Sequence, residues 1–284
     1  MSPKVSQREA ISIDEGRIRF KRDSMIGVSG QVRIEGKRIM GKNEGVGREK
    51  REGEVFVLDE IPFQTHLEET SSRLGMRRAE ERSKEFRRMV DSAFRIARPK
   101  ALYRISRIGS RGEDAVVIDD QTFRSRVLAV NLQSVYRVFP FAVTSGRELE
   151  EWSNSLGSLQ EKTGSEVIRL AVLGAALQAV HSHIREMHHP GGLSRMNPGS
   201  LEDWPLSEQK TLFSLLGETE SSIGVRLKGD FLMEPAMSTS GIWFPSEENF
   251  ENCMLCLMED CPGRRAPYDR ELYEKKYRGS EGGA

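Results

Sequence analysis

Residues 166–187 read EVIRLAVLGAALQAVHSHIREM. Within them Val167, Leu170, Ala171, Leu173, Gly174, Leu177 and Val180 recur at helical spacing, and the small residues admit close neighbours. This is the most apolar segment of the chain, and it predicts a central helix. Its apolar run, Leu170 to Val180, is broken by Gln178 and is too short to cross a bilayer. Upstream, Glu54–Leu58 is strand-like and closed by Pro62, and residues 66–76 suit a short helix ending at Gly75. Phe86, Met89, Val90, Ala93, Phe94 and Ala97 stripe an amphipathic helix over 79–97, stopped by Pro99. Ala101–Ile108 and Ala115–Ile118 flank Ser110-Arg111-Gly112-Glu113-Asp114 as a hairpin would. Val135–Thr144 reads as a strand, and Ser145 to Glu148 has capping-box spacing for a helix toward Trp152. Downstream, Leu206–Leu216 suits a helix ended by Gly217, with strands at Ile223–Leu227 and Gly241–Phe244. Hairpins and long helices without βαβ alternation or internal repeats predict an α+β fold on a twisted antiparallel sheet.

The 284 residues balance 43 Lys and Arg against 43 Asp and Glu, which argues against a general nucleic-acid binder. The N-terminus lacks an apolar secretion signal, so a cytoplasmic protein without membrane spans is expected. Residues 1–53 are locally basic, with 13 Lys and Arg against 8 Asp and Glu, and hold 8 of the 26 glycines. They read as a flexible extension, although Arg17-Ile18-Arg19-Phe20 and Gln31-Val32-Arg33-Ile34 have the alternation of a hairpin. The expected organisation is this extension, a domain over 54–250, a cysteine segment over 251–269 and a loose polar tail over 270–284.

Near the end of the central helix stand His181, His183, His188 and His189. They could ligate a metal, but they lack a carboxylate in a metalloprotease register and suit a helix C-terminus. All three cysteines, Cys253, Cys256 and Cys261, fall within nine residues in a Cys-x2-Cys-x4-Cys pattern. A disulfide framework would spread an even number along a small secreted chain. Three readings stay open: an iron–sulfur cluster, a zinc knuckle with a fourth ligand from elsewhere, and unligated thiols.

Four ordered blocks carry a resemblance. They are Arg195-Met196-Asn197-Pro198-Gly199, Trp204-Pro205-Leu206-Ser207-Glu208-Gln209 with Leu212–Leu216, Ile223–Leu227, and Met233-Glu234-Pro235-Ala236-Met237-Ser238-Thr239-Ser240-Gly241. In this order and spacing the chain resembles the activation domain of cobalamin-dependent methionine synthase over residues 54–250. The resemblance implies a C-shaped α+β domain that binds S-adenosylmethionine and supports reductive methylation of cob(II)alamin, as a component of a methyltransferase in methionine biosynthesis. It places Arg195 on the ligand carboxylate, Pro198, Gly199 and Ser200 beside the ligand, and Ser238, Thr239, Ser240 and Gly241 in a tight loop near it. A guanidinium suits a carboxylate because its planar fork donates two parallel hydrogen bonds. Ser200 replaces the family's tyrosine, and Leu227-Lys228-Gly229-Asp230 replaces its Leu-Thr-Glu-Ser.

The chain has no Asp-x-His-x-x-Gly, the family's lower-axial cobalamin motif, so the corrinoid is expected on a separate corrinoid-binding protein or methyltransferase. An iron–sulfur cluster on Cys253, Cys256 and Cys261 would relay the electron; zinc would brace the C-terminus, leaving the electron to an external donor. No residue reads as a nucleophile or general base. Two rivals remain: a non-catalytic corrinoid-protein partner, and a zinc-stabilised adaptor whose residues 1–53 bind nucleic acid.

Overall fold

The computed structural model describes residues 84–278 apart from 249, 259, 262 and 263, together with 53–59, Ile61, Phe63 and the short segments 12–14, 17–19 and 34–35. The helix expected over 66–76 lies outside these residues. Of the basic N-terminal stretch, β1 (Ser12–Asp14) pairs with β2 (Arg17–Arg19), and β3 (Ile34–Glu35) adds to the main sheet. Arg17–Arg19 therefore pairs with the residues before it rather than with Gln31–Ile34.

The main sheet is antiparallel throughout and is organised by β9 (Arg137–Thr144). One edge of β9 carries β13 (Ser238–Pro245), which in turn carries β10 (Leu193–Met196). The other edge is shared. β5 (Lys100–Arg104) pairs with residues 141–144, and β6 (Ser106–Arg111) pairs with residues 137 and 138. The run 101–108, expected as one arm of a hairpin, is thus two strands bent at Ile105. Pro140, which has no N–H to donate, lies at the break where neither β5 nor β6 pairs with β9. Outside β5 lies β4 (Val55–Leu58); outside β6 follow β7 (Ala115–Ile118) and β8 (Gln121–Arg124).

Both faces of the sheet are covered, so β9 is buried from Val138 to Thr144 and reads as a nearly continuous apolar run. On one face lies a helix of 30 residues, Leu159–His188, preceded in the chain by α1 (Lys84–Ile96), α2 (Arg126–Asn131) and α3 (Arg147–Ser155). This fourth helix, α4, packs Ala176, Val180 and Ile184 on Phe139, Phe141 and Tyr103, while its first half packs Val167, Ile168 and Val172 on α1. Full burial of a Val or Ile side chain contributes about 2 kcal/mol, so this helix is held by packing on two sides. It is long and apolar enough by composition to cross a membrane, but half of its most apolar window is buried in the fold.

The opposite face is closed by α2, α5 (Gln209–Leu216) and α6 (Thr219–Ile223), around fully buried Trp204 and Phe123. Of the strand expected over Ile223–Leu227, Ile223 is the last residue of α6, Gly224 follows in the left-handed region, and β11 (Arg226–Leu227) alone is extended, paired with β12 (Met233–Glu234). The loose tail is also corrected. Residues 270–277 form helical turns, and Tyr277, 1 % exposed, inserts into the same core and donates its hydroxyl to Asn131 Oδ1 at 2.7 Å.

The helix caps show why two boundaries move. Ser145 makes no capping box: its hydroxyl donates to the Met237 carbonyl, and Gly146 begins α3 with a φ of 100°. The capping box belongs to α4, where Glu161 N–H donates to Ser158 Oγ and Ser158 N–H to Glu161 Oε2. The bonds that Ser158 donates to its carboxylate lower the pKa of Glu161, and the cap starts α4 eight residues before the apolar stripe does.

Candidate functional site

The residues of the resemblance converge where β10 lies against β13. Antiparallel register sets Arg195 opposite Trp243, and the period of two places both on the face that α4 covers. Arg195 is 7 % exposed, and its guanidinium carbon lies 5.0 Å from the centre of the Trp243 ring. Its Nε is buried without a hydrogen-bond partner, as is Trp243 Nε1. His181 on α4 closes over the indole, with ring centres 5.1 Å apart. Burial, reinforced by the charge of Arg185, lowers the pKa of His181, so the imidazole is neutral beside Trp243 at pH 7. A buried guanidinium with an unused donor against an aromatic face favours an incoming carboxylate.

Beyond Met196 the chain turns through Asn197-Pro198-Gly199-Ser200. Asn197 Nδ2 donates to the Ser240 carbonyl at 2.6 Å, and Ser240 Oγ donates to Gln209 Oε1 at 2.6 Å. Gly199 has a φ of 81°; a Cβ there would lie 2.9 Å from Leu206 Cδ1, and its N–H already donates to the Trp204 carbonyl at 2.7 Å. The glycine thus permits the turn, and its amide is not open to a ligand. Pro198 is buried, Gly199 is exposed and Ser200 half-buried, so the turn presents backbone at the surface.

Ser238, Thr239, Ser240 and Gly241 are not a tight loop. They form the first half of β13, paired with residues 141–144 of β9. Ser238 Oγ bonds Thr144 Oγ1 at 2.9 Å and the Pro235 carbonyl at 2.7 Å. The hydroxyls of Ser238 and Ser240 therefore brace the strand crossing. Trp243 and His181 complete the site and were not legible as site residues, whereas Gln209, on α5, braces Ser240 from the opposite face of the sheet. Their only signal is the register, which juxtaposes residues 48 apart in sequence for Arg195 and Trp243.

For the cysteine segment the sequence leaves an iron–sulfur cluster, a zinc knuckle and unligated thiols open. Among the described residues no three His, Cys, Asp or Glu side chains converge as a metal-binding group. Cys253, Cys256 and Cys261 are free and half-buried. In their midst the Arg264 guanidinium donates to the carbonyls of Cys253, Cys256 and Met258 at 2.9, 2.9 and 2.6 Å. Wrapped around a guanidinium, this segment does not fit a three-ligand iron–sulfur or zinc site.

The four histidines separate in the same way. His183 Nδ1 and His188 Nε2 lie 2.8 and 3.0 Å from the hydroxyl of fully buried Tyr103, and Phe56 stacks on the Tyr103 ring. His189 caps α4 in the left-handed region, with a φ of 45°. Burial pushes the Tyr103 pKa up, with the charge of Glu54 adding, and pushes His183 down to about 4. The folded protein therefore keeps His183 neutral where an unfolded chain takes up a proton below its ordinary value of 6.5. This contribution is complete above pH 6.5 and is lost as pH falls toward 4, by at most about 3 kcal/mol. Urea midpoints at pH 7.5 and 4.5 are expected to fall less for His183→Asn than for wild type. An equal fall would remove His183 from the acid sensitivity.

A cleft of about 1270 Å3 lies at the other end of β10 and β13, lined by Arg107, Arg137, Gly192, Glu247 and Lys276 among others. Its cations are engaged locally: Arg137 donates to the His188 carbonyl at the end of α4, and Lys276 pairs with Glu248. It does not include Arg195, whose unpaired donor makes the stronger site.

No family model and no curated protein matches the sequence. In three dimensions the chain is similar to the crystal structure of the MetH reactivation domain bound to AdoHcy, with a TM-score of 0.51 and 15 % sequence identity over 69 % of this chain and 81 % of that one. The likeness establishes the α+β reactivation-domain type of fold.

Proposed function

We propose that this chain binds S-adenosylmethionine at the Arg195 site and assists reductive methylation of cobalamin held by a separate corrinoid protein in the cytoplasm. The observation that carries the reading is the buried guanidinium of Arg195, stacked on Trp243 with an unused donor, in the block that resembles the family's ligand motif. The ligand's carboxylate would be taken by that fork, and the exposed backbone of Gly199 and the half-buried Ser200 would border the rest. The neutral imidazole of His181 adds no charge of its own beside Trp243, so the carboxylate would be met by the Arg195 guanidinium, with Arg185 near His181. The partner's reduced corrinoid supplies the methyl acceptor. Transfer of the methyl group from the sulfonium would leave S-adenosylhomocysteine with no proton to move, so the step would ask no general base of the chain. The chain's contribution is orientation, with the chemistry carried by the two cofactors and the electron by a separate donor.

A second reading is a corrinoid-protein partner that binds no nucleoside. It is favoured by the hydroxyls of Ser238 and Ser240 and the amide of Gly199, all of which are spent inside the fold. Calorimetric titration of the full chain with S-adenosylmethionine and with S-adenosylhomocysteine separates the two. Saturable one-to-one binding of both is expected; no heat at millimolar ligand would leave the second reading standing.

A further inference from the structure

The cysteine segment has a geometry that suits a different chemistry. Three successive i to i+3 bonds run through it: Met254 N–H to the Glu251 carbonyl, Leu255 N–H to Asn252, and Cys256 N–H to Cys253, at 2.9, 3.1 and 3.4 Å. Such a turn has three residues per revolution, so side chains at i and i+3 project from the same side. A turn closed by this bond also brings the two Cα atoms within about 7 Å. Disulfides span Cα separations up to about 6.8 Å. Cys253 and Cys256 occupy these two positions, and both are partly open to solvent.

The surroundings oppose a metal cluster and support a dithiol. The backbone carbonyls of Cys253, Cys256, Met258 and Ala266 converge on the Arg264 guanidinium, so a fixed cation fills the inside of the loop. A second metal charge there would meet that cation at short range. Cys253 Sγ accepts the Arg265 N–H at 3.4 Å, and Arg265 in turn pairs with Glu251 at 2.7 Å. The turn is thereby held in shape without any ligand on sulfur.

We propose that Cys253 and Cys256 are a reversible dithiol–disulfide pair that exchanges with small-molecule disulfides, leaving Cys261 as a bystander. The Cys253 thiolate attacks one sulfur of the external disulfide and forms a mixed disulfide, expelling one thiolate. The Cys256 thiolate then attacks Cys253 Sγ, the internal bond forms, and the second external thiolate leaves. Two protein thiols are oxidised, one external disulfide is reduced to two thiols, and the two cysteine protons end on them.

The reduced full-length chain incubated with oxidised glutathione tests this. Titratable thiols should fall from three to one, with the intact mass lower by two hydrogens and a single 253–256 linkage on peptide mapping, all reversed by dithiothreitol. Cys261→Ser should still close the bond, and Cys256→Ser should stop at the glutathione adduct. A bond to Cys261 in the wild type, a persistent glutathione adduct without closure, or protection of all three thiols by one equivalent of zinc ion would each overturn the proposal.

Discussion

Arg195→Met is expected to lower the affinity for S-adenosylhomocysteine by roughly 100-fold or more while leaving the protein folded. Removing one partner of a buried, hydrogen-bonded charge pair costs about 2–5 kcal/mol, and each 1.4 kcal/mol is tenfold in affinity. Stability should move the other way. In the unliganded fold Arg195 is 7 % exposed, its Nε has no partner, and its visible compensation is the Trp243 face at 5.0 Å. A cation–π contact is worth about 0.5–2 kcal/mol, less than a buried charge commonly forfeits in lost hydration. An apolar side chain of similar length keeps the packing on Trp243 and removes that penalty, so the melting temperature should hold or rise. Arg195→Lys keeps the charge and loses the planar fork, and should bind with intermediate affinity. Titration of the three proteins with one ligand stock decides the matter. If Arg195→Met binds within threefold of wild type, the carboxylate is held elsewhere and the proposed site is wrong.

How far such a site can be read from sequence depends on which contacts are local. The stripe from Val167 to Val180 identifies α4 because a 3.6-residue period survives in any surroundings. Its first turn escapes notice because Gly164 breaks the pattern. That glycine admits α1: a Cβ there would stand 3.2 Å from Met89 Cε and 3.4 Å from Phe86 Cδ2. Ile223–Leu227 fails for a different reason. Five residues of mixed apolar character fit a strand or a helix end, and Gly224 resolves the ambiguity by taking a φ of 72° after α6. Arg195 is legible from its block, whereas its partner Trp243 depends on a register fixed by the whole of β13 and β9. The cysteine spacing is legible too, but the same spacing serves a metal knuckle and a dithiol turn. What distinguishes them is Arg264, eight residues after Cys256, whose guanidinium fills the loop.

The crossing of β10 over β13 gives the largest expected effect on stability, at Gly241. Its backbone is ordinary strand, so conformational freedom is not what demands glycine there. The demand is space. A Cβ would lie 2.3 Å from the Met196 carbonyl oxygen, 2.7 Å from Asn197 Nδ2 and 3.1 Å from Phe141 Cε1. The closest of these is backbone, so no rotamer change relieves it. Gly241→Ala must separate β10 from β13, stretching the bond from Asn197 Nδ2 to the Ser240 carbonyl and moving Arg195 off Trp243. Overpacking of this kind costs about 3 kcal/mol, or roughly 6–12 °C in melting temperature for a chain of this size. Gly174→Ala is the matching control. That glycine lies inside α4 with nothing within 4 Å of a Cβ, so alanine should stabilise by about 0.5–1 kcal/mol through helix propensity. The two substitutions add the same methyl group, and their melting temperatures should separate in opposite directions from wild type. Where Gly241→Ala still folds, it should also bind S-adenosylhomocysteine more weakly, because the strand that carries Arg195 has been displaced. A wild-type melting temperature for Gly241→Ala would mean that β10 does not lie this close to β13, and the Arg195–Trp243 pairing would fall with it.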